Sequence, residues 1–136
     1  MLVEDDPPLL ELVRSMLDTL CYNVLTATDG FEAIEAEAEH NGTIDMLLSD
    51  VVMPNMGGFE AAEIIRDVRP QIKIVFMSGY PNRAGISNEN VPDNCEFLQK
   101  PVKPPHLAQI VRRELDKSIP SIVEDQEKEE SYDFAS

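Results

Sequence analysis

The stretch Met46-Leu47-Leu48-Ser49-Asp50 constrains the fold of this chain more than any other five residues. An apolar run of strand length, without polar alternation, reads as a strand covered on both faces, the kind found in parallel sheets. Its last residue is a carboxylate, and the loop Val51-Val52-Met53-Pro54-Asn55-Met56-Gly57-Gly58 follows. A polar side chain at the C-terminal end of a buried strand sits where open α/β sheets gather their ligands.

The rest of the chain repeats the same alternation of short apolar runs with helix-period segments, which argues for βαβ units. Leu2-Val3 is a short first strand. Pro7 and Pro8 open a helix with Leu9, Val13, Met16, Leu17 and Leu20 at helical spacing, and Asp6 is placed to cap it. Residues 22–27 read as a second strand, and Asp29-Gly30 as the turn into an Ala/Glu-rich helix ending near Asn41-Gly42. Ala61, Ile64, Ile65 and Val68 mark a helix closed by Arg69-Pro70. Residues 72–77 form a fourth strand and 96–99 a short fifth, while Leu107, Ile110, Val111 and Leu115 stripe the last helix. Residues 81–94 are rich in Pro, Asn and Gly, so a helix expected there is short or frayed. The expected domain is 1–117, followed by an acidic, disordered tail over 118–136.

Composition narrows the function classes. A length of 136 residues suits one domain with a real core. The net charge of −15 argues against direct nucleic-acid binding, which needs a basic footprint, and is compatible with a divalent cation and a basic protein partner. No apolar run approaches the roughly 20 residues of a membrane span. The acidic cluster at 4–6 replaces the basic start of a secretion signal, so the expectation is a cytoplasmic protein. Cys21 and Cys95 have neither metal-ligand nor disulfide spacing and read as core or half-buried thiols of a reducing compartment. His40 and His106 read as surface residues.

Four motifs fall at strand ends: Val3-Glu4-Asp5-Asp6-Pro7; Asp50 with Met53-Pro54-x-Met56-x-Gly58; Met77-Ser78-Gly79-Tyr80; and Phe97-Leu98-Gln99-Lys100-Pro101. In this order they resemble the receiver domain of bacterial two-component response regulators, over roughly residues 1–117. The resemblance implies a doubly wound, five-stranded parallel sheet in the order 2-1-3-4-5 with helices on both faces. It also implies that Asp50 accepts a phosphoryl group from a histidine kinase or phosphotransfer protein. Mg²⁺ would be held by Glu4, Asp5, Asp50 and the backbone carbonyl of Val52. Lys100 would pair with the phosphoryl oxygens, Ser78 would donate to one of them, and Phe97 would turn with the Ser78 loop as the switch. The output face would be the segment before the fifth strand, that strand and the last helix, acting on a downstream protein target. The protein would catalyse its own phosphorylation, either as a stand-alone regulator or as the receiver of a hybrid sensor kinase.

Charge supports this chemistry independently. Glu4, Asp5 and Asp50 carry three negative charges and Lys100 returns one, so the pocket is doubly negative without a divalent cation and repels a phosphoryl donor. Other readings compete at single residues. Asp6 is a helix cap, Ser78-Gly79 could be a plain turn, Phe97 core, Met53 and Met56 loop packing, and Lys100 a structural partner of Asp50. Leu10 and Val102 stand where the family carries a basic and an aromatic residue. The alternative function is a pseudo-receiver, a protein-interaction module with no phosphoryl chemistry. A flavodoxin-like nucleotide binder is disfavoured because Glu4-Asp5-Asp6 would repel a phosphate.

Overall fold

The structure is a computed structural model and describes residues 1–79 and 91–117. Five parallel strands are joined in the order β2-β1-β3-β4-β5: β1 Leu2–Val3, β2 Thr26–Ala27, β3 Met46–Asp50, β4 Lys73–Ser78 and β5 Cys95–Gln99. The described helices are α1 Pro7–Thr19, α2 Gly30–Glu39, α3 Gly58–Val68 and α4 Pro104–Leu115. This is the expected doubly wound sheet. The short helix expected within 81–94 falls largely outside the described residues, as does the acidic tail of 118–136.

Period-two alternation divides the core between the two faces of the sheet. Leu2, Leu48, Val75 and Met77 point to the side where Val13 and Leu17 of α1 and Leu107 and Val111 of α4 pack. Val3, Leu47, Ile74 and Phe76 point to the other, against Ala33 of α2 and Ala62 and Ile65 of α3. All five residues of β3 are buried, as a central parallel strand requires. Among the described residues, no helix is long and apolar enough to cross a membrane.

Three local expectations are corrected. The second strand spans only Thr26–Ala27, because its ladder partner β1 has only Leu2 and Val3 to offer. Asp6 occupies the N-cap position of α1, but its side chain makes no cap hydrogen bond; its backbone N–H instead donates to Glu4 Oε2 at 3.1 Å. Cys21 is exposed, at the left-handed turn (φ 71°) after α1, whereas Cys95 is half-buried as expected.

Candidate functional site

Strand register brings the four motifs to one edge of the sheet. Val3 pairs with Ser49, so Glu4 continues level with Asp50. Asp50 pairs with Met77, and Ser78 follows; Ser78 pairs with Gln99, and Lys100 follows. Each residue in question is therefore the last of its strand or the next one along. Neighbouring strands lie about 4.8 Å apart, so side chains at matched ends share one basin. The backbone closes the sequence of ends, with Lys100 N–H donating to the Ser78 carbonyl at 2.9 Å.

Three carboxylates meet in that basin. Glu4 and Asp50 are buried and Asp5 is exposed, and one oxygen from each lies within 4.8 Å of the others. Lys100 Nζ sits between the two buried acids, 3.1 Å from Asp50 Oδ1 and 3.2 Å from Glu4 Oε1. Asp50 Oδ1 also accepts the Val51 N–H at 2.9 Å. Lys100 meets Glu4 Oε1 as an ion pair. That oxygen, although buried, accepts no hydrogen bond among the described residues.

Burial dominates the acid–base behaviour. It pushes the Asp50 carboxyl above its ordinary value, and the Lys100 charge and hydrogen bond offset this only in part. Glu4 is raised for the same reason, with the Asp6 N–H opposing and the Asp50 charge reinforcing. For Lys100, burial is the largest single influence and lowers its pKa. Asp50 and Glu4 together outweigh it, leaving the ammonium held above its usual range.

Gly58 is required by close approach. A Cβ built there would lie 2.1 Å from the Asp50 carbonyl oxygen, so no other residue lets α3 start directly behind the end of β3. The Gly58 N–H donates to the Val51 carbonyl at 2.8 Å, which closes the loop after Asp50. Val52 lies in that loop and is 75% exposed. Met53 and Met56 are buried and pack the loop's inner side, as expected. Ser78 is buried at the end of β4. Phe97, on β5, is half-buried, its ring 5.7 Å from that of Phe76 and 6.3 Å from that of Phe59 on α3. Tyr80 of the third motif lies outside the described residues.

The residues expected at the site do lie together at the strand ends, and two contacts there were not foreseen. Lys100 contacts Glu4 as well as Asp50, a consequence of register that only the ladder reveals. Asn55, at φ 71°, donates from Nδ2 to Asp29 Oδ2 at 2.9 Å and so ties the Asp50 loop to the start of α2. The pairing of Asn55 with an acid 26 residues away left no trace in local spacing.

Comparison with known proteins agrees with this geometry. Residues 1–112 match the family described as "Response regulator receiver domain". The chain is 36% identical over 117 residues to Sensor kinase CckA of Brucella abortus (strain 2308), covering 86% of this chain and 12% of that protein. It thus spans a small part of that relative's length. It is 30% identical over 119 residues to the response regulator receiver protein CpdR of the same organism, covering 88% of this chain and 94% of that protein. Among solved structures, the receiver domain of the hybrid histidine kinase CckA superposes with a TM-score of 0.73 at 32% identity, over 85% of this chain and 96% of that one.

Proposed function

The chain belongs to the response regulator receiver domain family of two-component signalling, and from that premise we propose that it is an active phosphoacceptor whose phosphorylated residue is Asp50. The carrying observation is the Glu4–Lys100–Asp50 cluster, in which one ammonium lies against two buried carboxylates. A pseudo-receiver gains nothing from keeping two buried acids and a lysine in such contact, since an apolar cluster of similar volume is often as stable.

The donor set fits Mg²⁺. Three carboxylates offer hard oxygens within 4.8 Å of one another, the chemistry that a small divalent cation takes. Glu4, Asp5 and Asp50 would hold the ion, with the Val52 carbonyl as the backbone ligand. When bound, the ion neutralises negative charge on the phosphoryl oxygens.

The protein's own residues supply the rest. Asp50 Oδ1 is held by the Val51 N–H and Lys100, which leaves Oδ2 to attack phosphorus. The phosphorus–nitrogen bond of the donor phosphohistidine breaks, its electron pair returning to the imidazole, as a phosphorus–oxygen bond forms to Asp50. The product is an acyl phosphate and a neutral histidine. Lys100 exchanges its carboxylate partners for phosphoryl oxygens, while Ser78 donates a hydrogen bond to one of them. The Ser78 loop moves in response, and Phe97, packed on Phe59 and Phe76, repacks to alter the surface that a downstream protein reads. The phosphodonor is a histidine kinase or phosphotransfer protein in the cytoplasm; residues 1–117 form the receiver and 118–136 an acidic tail.

The test is phosphorylation by acetyl phosphate with Mg²⁺, read by intact mass. One phosphoryl adduct is expected on the wild type, abolished by EDTA. A wild type that stays unmodified would leave the pseudo-receiver standing.

A further inference from the structure

The loop from Val51 to Gly57 is anchored at its two ends by the sheet and by α3. Between them it is held from a different part of the chain. Asn55 Nδ2 donates to Asp29 Oδ2 at 2.9 Å, and the Gly30 N–H donates to the Met56 carbonyl at 3.2 Å. Asp29 is itself immobilised, because its other oxygen caps α2 by accepting the Glu32 N–H at 2.9 Å. The two loops also interlock sterically: a Cβ at Gly30 would lie 2.7 Å from Met56 Cγ. Asn55 takes the left-handed conformation that asparagine tolerates better than most residues.

We propose that Asp29 and Asn55 are positioning residues for the cation site, clasping the Asp50 loop so that the Val52 carbonyl stays where the ion needs it. The inference rests on the Mg²⁺ reading above and extends it to residues that touch neither the ion nor the phosphoryl group. Its physical basis is the rigidity of magnesium coordination. The ion demands near-octahedral geometry at about 2.0–2.1 Å, so a ligand carbonyl free to drift loses affinity steeply. Asp29 and Asn55 are exposed at their contact, and an exposed hydrogen bond adds little to the stability of the whole domain. A purely structural clasp would therefore leave metal affinity untouched.

Calorimetric titration of Mg²⁺ into the wild type, Asn55→Gly and the double exchange Asp29→Asn/Asn55→Asp separates these roles. Glycine keeps the left-handed turn and removes only the side chain. The double exchange swaps donor and acceptor, conserves net charge, and keeps a good N-cap at the start of α2. The expected result is about tenfold weaker binding for Asn55→Gly, a melting temperature in EDTA close to wild type, and recovery of most of the loss in the double exchange. Unchanged affinity in Asn55→Gly, or weak binding in a double exchange that melts like wild type, overturns the clasp while leaving the metal reading intact. A wild type that binds no Mg²⁺ overturns the metal reading, and the clasp with it.

Discussion

Replacing Lys100 with methionine removes the cation that lies between two buried carboxylates and leaves the volume nearly unchanged. In the native protein the ammonium lies 3.1 Å from Asp50 and 3.2 Å from Glu4, and the Glu4 side chain is 1% exposed. Stripping one partner from a fully buried ion pair costs roughly 3–5 kcal/mol. The lysine side chain is still 24% exposed, so solvent screening brings the expected loss down to about 2 kcal/mol. For a domain of this size that lowers the melting temperature by about 6–10 °C. The assay is thermal unfolding followed by far-ultraviolet circular dichroism, because the chain has no tryptophan. In EDTA the variant melts below wild type by that margin. Mg²⁺ at about a hundred times its dissociation constant adds about 2.7 kcal/mol to either protein, so the gap narrows by as much as the variant binds the ion more tightly. The variant binds the ion more tightly than wild type, since the Lys100 ammonium no longer competes for the carboxylates. Equal melting in EDTA, or a deficit that Mg²⁺ does not narrow, would refute the reasoning that Lys100 is the counter-charge of a cation site.

Two other substitutions probe the same basin. Burial raises the Asp50 and Glu4 carboxyls above their unfolded values, so the folded protein keeps protons that the unfolded chain has released. Their contribution is therefore most favourable below the ordinary carboxylate range and is lost as pH rises through the raised values. Asp50→Asn removes one of these groups and relieves Glu4 of a like charge; urea unfolding in EDTA should show the variant gaining on wild type as pH climbs above about 4, and a pH-independent difference counts against this. Gly58→Ala forces a Cβ to within 2.1 Å of the Asp50 carbonyl, costing about 1–3 kcal/mol and displacing the end of β3. Both the urea midpoint and the yield of phosphoryl adduct should fall, and near-native values for both would mean that the approach is not tight.

Much of this was legible in the sequence because the relevant signals are local. The buried run at Met46–Asp50, the paired prolines opening α1 and the apolar stripe of α4 each carry their own period or punctuation, and each forms the expected element. The strand order came with the family resemblance, not from periodicity. The misses share a different physics. How far β2 extends depends on the length of its ladder partner, not on the β propensity of Tyr22 or Val24. Whether Asp6 caps α1 depends on rivals for its neighbourhood: its own N–H is already directed to Glu4. The Arg69 guanidinium joins Glu37 at 3.0 Å and the His40 and Gly42 carbonyls at 3.0 and 2.9 Å, tying the ends of α2 and α3, and no spacing rule connects those positions. At the site itself, residue types and strand ends could be read directly, whereas the sharing of Lys100 between two acids is a product of register.

In the proposed chemistry Asp50 is the residue phosphorylated. Borohydride reduces an aspartyl phosphate to homoserine and leaves free carboxylates untouched. The protein, treated with acetyl phosphate and Mg²⁺ and then reduced, is digested and sequenced by mass spectrometry. Conversion is expected at Asp50, none at Glu4 or Asp5, and none anywhere in Asp50→Asn. Conversion at another acid, or a reduced protein with Asp50 intact despite a phosphoryl adduct, would contradict that chemistry.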